Sequence, residues 1–232
     1  MRRLCIGLVG AAALVLPHQA AAQRGEITVL AGVVQSPSEE FDRVIGSNAP
    51  VFYTRQRGER SSGAALGAAA SFAIRGHVFA ELGVMSHSVE RAISTTGLGD
   101  ESGPFLATNR FDGRITSFWI GPSYRAVDRD RIALSALAAP VVLVMTGDAF
   151  ERAKVFHNAP SRSAAIGFML GLRARLWMTE RLGAQLAVED AMWTFPLTPH
   201  RNDDTPFAPG ASRDTPLQHD LRVHLGASYR LF

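Results

Sequence analysis

Cysteine is almost absent from this chain of 232 residues, in which Cys5 is the single example. Structural disulfides, cysteine-based zinc sites and a cysteine nucleophile beyond that position are therefore excluded. Lysine is as rare, because 24 residues are Lys or Arg and only Lys154 is a lysine. The basic side chains are thus nearly all guanidinium groups, which stay charged at every physiological pH.

Neither sign of charge is in large excess, since the formal net charge is only +3. We therefore expect no nucleic-acid partner. The chain has 47% hydrophobic and 19% charged residues, a composition that excludes a disordered chain.

Long apolar runs are missing too. The best candidate, residues 132–145, contains Pro140 and is shorter than the roughly 20 residues that a membrane-spanning helix needs.

The first residues have the three parts of a secretory signal peptide. Arg2 and Arg3 form a basic start, and an apolar segment follows over residues 5–16. Ala20 and Ala22 then occupy the small-x-small positions of a signal-peptidase site. This pattern predicts export across the inner membrane with cleavage after Ala22.

Cleavage there divides the chain into a signal peptide, residues 1–22, and one mature domain, residues 23–232. Without an apolar helix, the mature domain is either soluble or crosses a membrane as a closed β-barrel. A closed barrel is the other structure that satisfies every backbone hydrogen bond in lipid.

Apolar residues recur with a period of two through the mature domain, which is typical of strands with one apolar face. In the C-terminal segment, Leu221, Val223 and Leu225 share one face, while Arg222 and Arg230 share the other. A helix would place both arginines among the apolar residues. Alanine-rich runs favour helix intrinsically, but the shared rhythm favours strands. It predicts eight of them, near residues 27–33, 66–74, 78–85, 117–124, 132–139, 166–176, 182–189 and 221–231.

The connections between the predicted strands alternate between short and long. Short turns lie around Gly76, Arg129 and Glu180. Short turns at one end, long loops at the other and an even strand count are typical of outer-membrane barrels. We therefore predict an all-β fold, an eight-stranded antiparallel up-and-down transmembrane β-barrel with short periplasmic turns and long extracellular loops. The long connections are residues 36–62, 92–112, 147–162 and 196–216.

The cost of placing charge in lipid determines which face of each strand points outward. An arginine on the lipid face costs roughly 2 to 4 kcal/mol at the membrane midplane, so Arg222 and Arg230 are expected to point into the lumen. Charges buried there must pair, and Glu81 is expected to serve Arg222 or Arg230. The predicted lumen charge network consists of Glu81, Arg173, Arg175, Glu189, Arg222 and Arg230.

One pair within this network follows from the geometry of a hairpin. A turn centred on Glu180 places Arg173 opposite Ala187. Glu189 is then the diagonal neighbour of Arg173 on the same face. We predict a salt bridge between Arg173 and Glu189.

Aromatic residues gather near the predicted strand ends, where a membrane barrel has its interfacial belt. Tyr124 and Tyr229 have outward parity and fit such a belt. Trp119, Trp177 and Trp193 have inward parity, which leaves core packing open beside the belt for these three.

The signal peptide, the eight alternating strands and the terminal segment GASYRLF together resemble the small outer-membrane β-barrel family, of the OmpA transmembrane domain and OmpX type. In that family, aromatic residues at the end of the last strand are read by the barrel-assembly machinery. Gly226, Tyr229, Leu231 and Phe232 are similar to that signal. Tyr229 departs from the pattern, because it lies three positions before the end rather than two, and Leu231 takes the in-phase place.

The resemblance implies a location and a set of contacts. It implies the outer membrane of a Gram-negative cell envelope, contact with outer-membrane lipid and lipopolysaccharide, and assembly by the barrel-assembly machinery. It also implies a monomer. These are expectations from the family and not from the composition.

Three functions are compatible with such a barrel. We prefer a non-enzymatic integral outer-membrane protein with a structural or surface-interaction role and with no catalytic residue, cofactor or metal. The second is a lipid A-modifying enzyme working by acyl transfer or deacylation, for which Ser86, His87 and Ser88 are the candidates. Neighbouring residues face opposite ways on a strand, so nucleophile and base would come from different strands. The third is a small hydrophobic-ligand channel, with a lateral gap at Pro140.

Overall fold

The computed structural model describes residues 25–36, 39–48, 51–61, 63–98, 105–157, 163–194, 213–214 and 217–231. These residues form eleven strands and one helix. In chain order they are β1 (Gly25–Gln35), β2 (Glu39–Asn48), β3 (Val51–Arg60), β4 (Gly63–Arg75), β5 (Val78–Leu98), β6 (Phe105–Asp128), β7 (Ile132–Thr146), α1 (Asp148–His157), β8 (Ala164–Trp177), β9 (Leu182–Thr194), β10 (Arg213–Asp214) and β11 (Leu217–Arg230).

Eight strands close into an antiparallel ring, in the order β1, β4, β5, β6, β7, β8, β9 and β11. The pairing of β1 with β11, from Glu26–Arg230 to Gln35–Leu221, closes it. Stepping from Gly25 to its paired residue on the next strand, and so on once around the ring, returns to β1 at Gln35. The strands are therefore staggered by ten residues in one circuit. Such a stagger tilts the strands by roughly 40° and leaves a lumen filled by side chains. The predicted eight-stranded up-and-down barrel is confirmed.

The outer face of the wall is apolar and the inner face carries the charges. On β8, Leu170, Leu172 and Leu176 point outward and are 48%, 68% and 52% exposed. Arg173 and Arg175, which alternate with them, are buried. The same alternation follows β1, β7, β9 and β11, with the parity predicted from the sequence.

One end of the ring, called here the turn end, is built from short turns between β4 and β5, β6 and β7, and β8 and β9. Gly76 in the first of these turns has a φ of 56°, a left-handed conformation that side chains disfavour. The two ends of the barrel sequence meet here as well, since the backbone N–H of Leu231 donates to the carbonyl of Gly25 at 2.8 Å.

The opposite end, called here the loop end, corrects the expectation of irregular loops over residues 36–62 and 92–112. β5 and β6 continue beyond the ring as one long hairpin, and β3 adds to β5 from Arg60–Arg91 to Tyr53–Leu98. β2 then pairs with β3, and β10 with β2. Polar cross-strand pairs, such as Glu90 with Arg110 at 2.8 Å, hold this extension. Its strands lack apolar alternation, so hydropathy did not reveal them.

A helix, α1, occupies part of the predicted loop 147–162. Asp148 and Glu151 lie in its first turn, where their negative charge stabilises the helix by interacting with the positive end of the helix dipole. Ala149 and Phe150 are fully buried, and Arg91 Nη1 donates to the carbonyl of Ala149 at 3.1 Å. α1 therefore packs against the inner side of the β5–β6 hairpin at the loop end. Within the described ranges, no helix has the length and apolar character needed to cross a membrane.

Candidate functional site

The centre of the lumen holds a group of paired charges, the middle cluster, formed by Glu81, Arg173, Glu189, His224 and Trp119. Arg173 Nε donates to Glu189 Oε1 at 2.9 Å, and Arg173 Nη1 forms an ion pair with Glu81. Trp119 Nε1 donates to Glu81 Oε1 at 3.1 Å, and His224 Nε2 lies 3.1 Å from Glu189 Oε2. All five side chains are buried. One guanidinium thus joins the carboxylates of two opposite walls.

The hairpin register predicted from the turn at Glu180 is the one observed, with Arg173 opposite Ala187. The predicted salt bridge between Arg173 and Glu189 is formed. It brings β8 and β9 together on the lumen side.

The expectation that Glu81 serves Arg222 or Arg230 is wrong. Arg222 lies nearer the loop end, where its Nη2 donates to Ser117 Oγ at 2.7 Å. Arg230 lies at the turn end, where its guanidinium stacks on Trp177 at 3.9 Å. Because the strands are staggered, Arg173 lies at the level of Glu81 in the lumen, whereas Arg222 and Arg230 do not.

A second group, the turn-end cluster, surrounds Glu26 on β1. Arg125 and Arg175 both form ion pairs with Glu26 Oε2, and Ser71 Oγ donates to it at 3.3 Å. Arg175 also donates to Gln185 Oε1. Arg175 was expected in the lumen network, but its partner Glu26 was not.

Sequence reasoning missed Glu26 and Arg125 because both lie just outside the predicted strands. Glu26 precedes the apolar alternation of β1, and Arg125 follows the last residue assigned to β6. Parity is the signal that could have found them, since Glu26 shares a face with Thr28 and Arg125 shares one with Ser123.

The third group, the loop-end cluster, surrounds Asp220. Arg60 Nη2 donates to Asp220 Oδ1 at 2.8 Å, Ser36 Oγ donates to the same oxygen at 2.9 Å, and Trp193 Nε1 donates to Oδ2 at 3.1 Å. All four are buried. None was singled out for this role, because Ser36 and Arg60 lie in the segment that was expected to be a loop.

The tryptophans line the lumen and do not form a belt. Trp119, Trp177 and Trp193 are at most 3% exposed, so the belt interpretation is wrong for these three. Each stacks with, or donates to, a charged lumen side chain. Tyr124 and Tyr229 point outward and are 55% and 41% exposed, as expected from their parity.

The segment Ser86, His87 and Ser88 does not bring a nucleophile and a base together. His87 points into the lumen and is 2% exposed, and its ring nitrogens have no hydrogen bond among the described residues. Ser86 and Ser88 lie on the outer face, and Ser86 Oγ is 3.1 Å from Thr116 Oγ1.

A different histidine and carboxylate do meet on the outer face. His219 Nδ1 on β11 lies 3.0 Å from Asp190 Oδ2 on β9. The next outward residues toward the turn end, Val188 and Leu221, are apolar and exposed. The apolar outer surface continues past this pair, since Ile166 on β8 and Leu217 on β11 are 76% and 43% exposed and lie farther toward the loop end.

The predicted assembly signal and cleavage site are only partly within the described residues. Gly226 lies against the Thr28 and Leu30 side chains, Tyr229 points outward, and Leu231 pairs with Gly25 through its backbone. Ala20, Ala22 and Phe232 lie outside the described residues. Both roles stay predictions.

Metal ligands do not gather in the described part of the chain, where no group of three or more His, Cys, Asp and Glu side chains is arranged to hold an ion. The paired charges of the lumen can stabilise the fold, and the outward Asp190–His219 pair can hold or move a proton.

No protein-family model matches the chain, and no curated protein is significantly similar to it. The finer resemblance to the OmpA and OmpX type therefore stays a prediction. Among solved structures, the chain is similar to Ail, the attachment invasion locus protein of Yersinia pestis, in complex with the heparin analogue sucrose octasulfate. The identity is 11% and the TM-score 0.40, over 89% of this chain and 99% of that chain.

Two further structures are similar. One is the outer membrane protease OmpT from Escherichia coli, with 8% identity and a TM-score of 0.34 over 90% of this chain and 97% of that chain. The other is a Pseudomonas aeruginosa FadL homologue, with 10% identity and a TM-score of 0.31 over 90% and 69%. These likenesses are too weak to carry an argument about activity or partners. The barrel assignment rests on the closed ring of strands.

Proposed function

We propose that the protein is a non-enzymatic integral outer-membrane β-barrel with a structural or surface-interaction role in the cell envelope. The observation that carries the proposal is the inverted wall, which has large apolar side chains outside and paired charges inside. Leu66 on β4, Ile166 and Leu172 on β8, and Leu225 on β11 are 65% to 76% exposed. In water such a surface would cause aggregation, whereas in lipid it is the stable arrangement.

The filled lumen favours a structural role over a channel. Three charge clusters and three tryptophans occupy the interior of a barrel whose strand number leaves room only for side chains. The wall at Pro140 supports the same choice. A Cβ added to Gly121 would come within 2.6 Å of the Ala139 Cβ, so β6 and β7 are in close contact there. This contact is evidence against the lateral gap.

The extension at the loop end favours contact with other molecules at the cell surface. It carries β2, β3 and the outer parts of β5 and β6 beyond the ring, and on β6 the polar residues Thr108, Asn109, Arg110 and Asp112 are exposed. The ion pair of Glu90 and Arg110 and the bonded hydroxyl groups of Ser94 and Thr108 lie on it. Outer-membrane lipid and lipopolysaccharide are the partners we propose, with the barrel-assembly machinery during biogenesis and a monomeric final state.

Fractionation and gel mobility test this proposal. We expect the protein in the outer-membrane fraction, with a faster-migrating band in unheated samples because the barrel stays folded. Reconstituted into liposomes, it should conduct no ions and pass no small apolar solute. A soluble periplasmic protein without heat-dependent mobility would contradict the barrel, and steady conductance would contradict the closed lumen.

A lipid-modifying enzyme is the second candidate, favoured by the Asp190–His219 pair. A histidine oriented by a carboxylate is the general base of many acyl-transfer sites, and this pair lies on the outer face that the proposal places in contact with lipid. Mass spectra of lipid A from cells with and without the protein separate the two candidates. We expect identical spectra. An acyl change that disappears in His219→Ala or His87→Ala would establish the enzyme.

A further inference from the structure

The outer wall near the turn end carries a shallow groove across β7, β8, β9 and β11. Its volume is about 330 Å³, and its exposed lining is almost entirely apolar. The groove lies on the surface that the proposed function places in lipid. Its outward lining residues are Ile132, Ala174, Leu176, Ala184, Leu186 and Leu225.

Strand register explains the groove. In one row across the strands, Leu176 of β8 is paired with Ala184 of β9. In the next row, Ala174 is paired with Leu186. The two alanines thus lie on one diagonal and the two leucines on the other. The small methyl groups form the floor and the leucines form the ridges, so a groove crosses a face that is otherwise covered by larger side chains.

An arginine is held at the turn-end edge of this groove. Arg181 lies in the turn between β8 and β9, and its Nη1 donates to Tyr229 Oη at 3.3 Å. Tyr229 points outward and is paired with Leu182, one row below Ala184. The bond therefore holds the guanidinium on the outer side of the wall.

The guanidinium of Arg181 is free to bind an anion. It is fully exposed, and the hydrogen bond with Tyr229 raises its pKa above the ordinary value. Among the described residues, the side chain that accepts a hydrogen bond from this guanidinium is Tyr229. A guanidinium has five N–H donors, so others remain for an anion. Glu180 precedes Arg181 in its turn, and the exposed charged residues of the β6–β7 turn are Arg129, Asp130 and Arg131.

We propose that the groove and Arg181 together bind one glycerophospholipid of the periplasmic leaflet, with an acyl chain along the groove and the phosphate on the guanidinium. This inference rests on the proposed membrane location, which places the turn end at the periplasmic surface. The apolar lining suits a hydrocarbon chain, and an arginine fork matches two oxygens of a phosphate.

A lipid fits this face better than a second copy of the chain. Two barrels in one membrane share their orientation, so a two-fold contact through the groove would bring both Arg181 side chains together at one depth. Like charges so placed repel each other. The phosphate of a lipid instead supplies the opposite charge at that level.

Native mass spectrometry of the purified full chain in maltoside micelles tests the site. Phosphatidylglycerol is titrated in, and diacylglycerol with the same chains but no phosphate is the comparison. We expect one phosphatidylglycerol per barrel, with diacylglycerol bound about tenfold more weakly because it lacks the charge-assisted hydrogen bonds.

Two variants and two matched controls locate the binding. Arg181→Gln should weaken phosphatidylglycerol binding about tenfold and leave diacylglycerol binding unchanged. Ala184→Leu, which fills the floor, should weaken both lipids. Arg75→Gln, another exposed turn-end arginine, and Ala68→Leu, on the outer face of β4, should change neither.

The outcomes separate this inference from the proposed function. Equal phosphatidylglycerol binding by Arg181→Gln and Arg75→Gln would overturn the site, as would a dimer mass that replaces the lipid-bound monomer. Heat-dependent mobility is measured for every variant. If the wild-type barrel is folded in the outer membrane yet retains no lipid, the site alone is wrong. If it is not in that membrane, the proposed function is wrong.

Discussion

The outer and inner faces of β8 carry opposite kinds of side chain. Leu172, which points outward, is 68% exposed, while Arg173, the next residue, is buried among carboxylates. In a soluble domain the two exposures would be reversed. The comparison shows that the stability of this barrel has two separate sources. The outer face is stable because lipid surrounds it, and the inner face is stable because every charge of the middle cluster has a partner.

Breaking the pairing inside should have the largest effect. Glu189→Ala removes a carboxylate from Arg173 and His224 and leaves the buried Arg173 guanidinium with one carboxylate, Glu81, in place of two. We expect a loss of about 3 to 5 kcal/mol in the free energy of unfolding. Urea unfolding in lipid vesicles measures it.

The control for this prediction is Glu180→Ala in an exposed turn, which should change the free energy of unfolding by no more than about 0.5 kcal/mol. Equal stabilities for the two variants would show that the inner charges do not contribute as described.

Placing charge on the outer face should have the next largest effect. Leu172→Arg puts a guanidinium in the apolar surface and is expected to cost about 2 to 4 kcal/mol. Ser88→Arg is the matched change on the outer face beyond that surface, at the loop end, and should cost at most about 1 kcal/mol. The same vesicle assay compares them. If Ser88→Arg is as costly as Leu172→Arg, the boundary of the apolar band is misplaced.

Crowding the inner face should have a smaller effect. A Cβ added to Gly83 would lie 2.2 Å from Trp119 Cζ2, so Trp119 must shift away from Glu81. Gly83→Ala should cost about 1 to 3 kcal/mol.

A double-mutant cycle with Trp119→Leu isolates that contact. With the leucine in place, the further change Gly83→Ala should cost almost nothing. A cost that stays the same in both backgrounds would rule out the contact with Trp119 as its cause.

Much of the wall could be predicted from the sequence because lipid demands a strict period of two. The Arg173–Glu189 pair was also predictable, since both residues belong to one hairpin and the turn at Glu180 determines their register.

Contacts across the lumen could not be predicted in this way. Glu26 and Arg175 lie on β1 and β8, and their meeting depends on the stagger of the whole ring. Strands β2 and β3 were missed for another reason. They lie beyond the apolar surface, so no lipid imposes an alternation on them.

The central claim, that outward residues contact lipid and inward residues do not, can be tested along one strand. Cys5 is the single cysteine, and it lies in the predicted signal peptide, so single cysteines can carry a nitroxide label in vesicles. On β9, labels at Ala184, Leu186 and Val188 should be accessible to oxygen and inaccessible to a water-soluble nickel reagent. Labels at Ala187 and Ala191 should be inaccessible to both reagents, in variants whose heat-dependent mobility shows that the barrel is folded. Oxygen accessibility without a period of two would contradict the account.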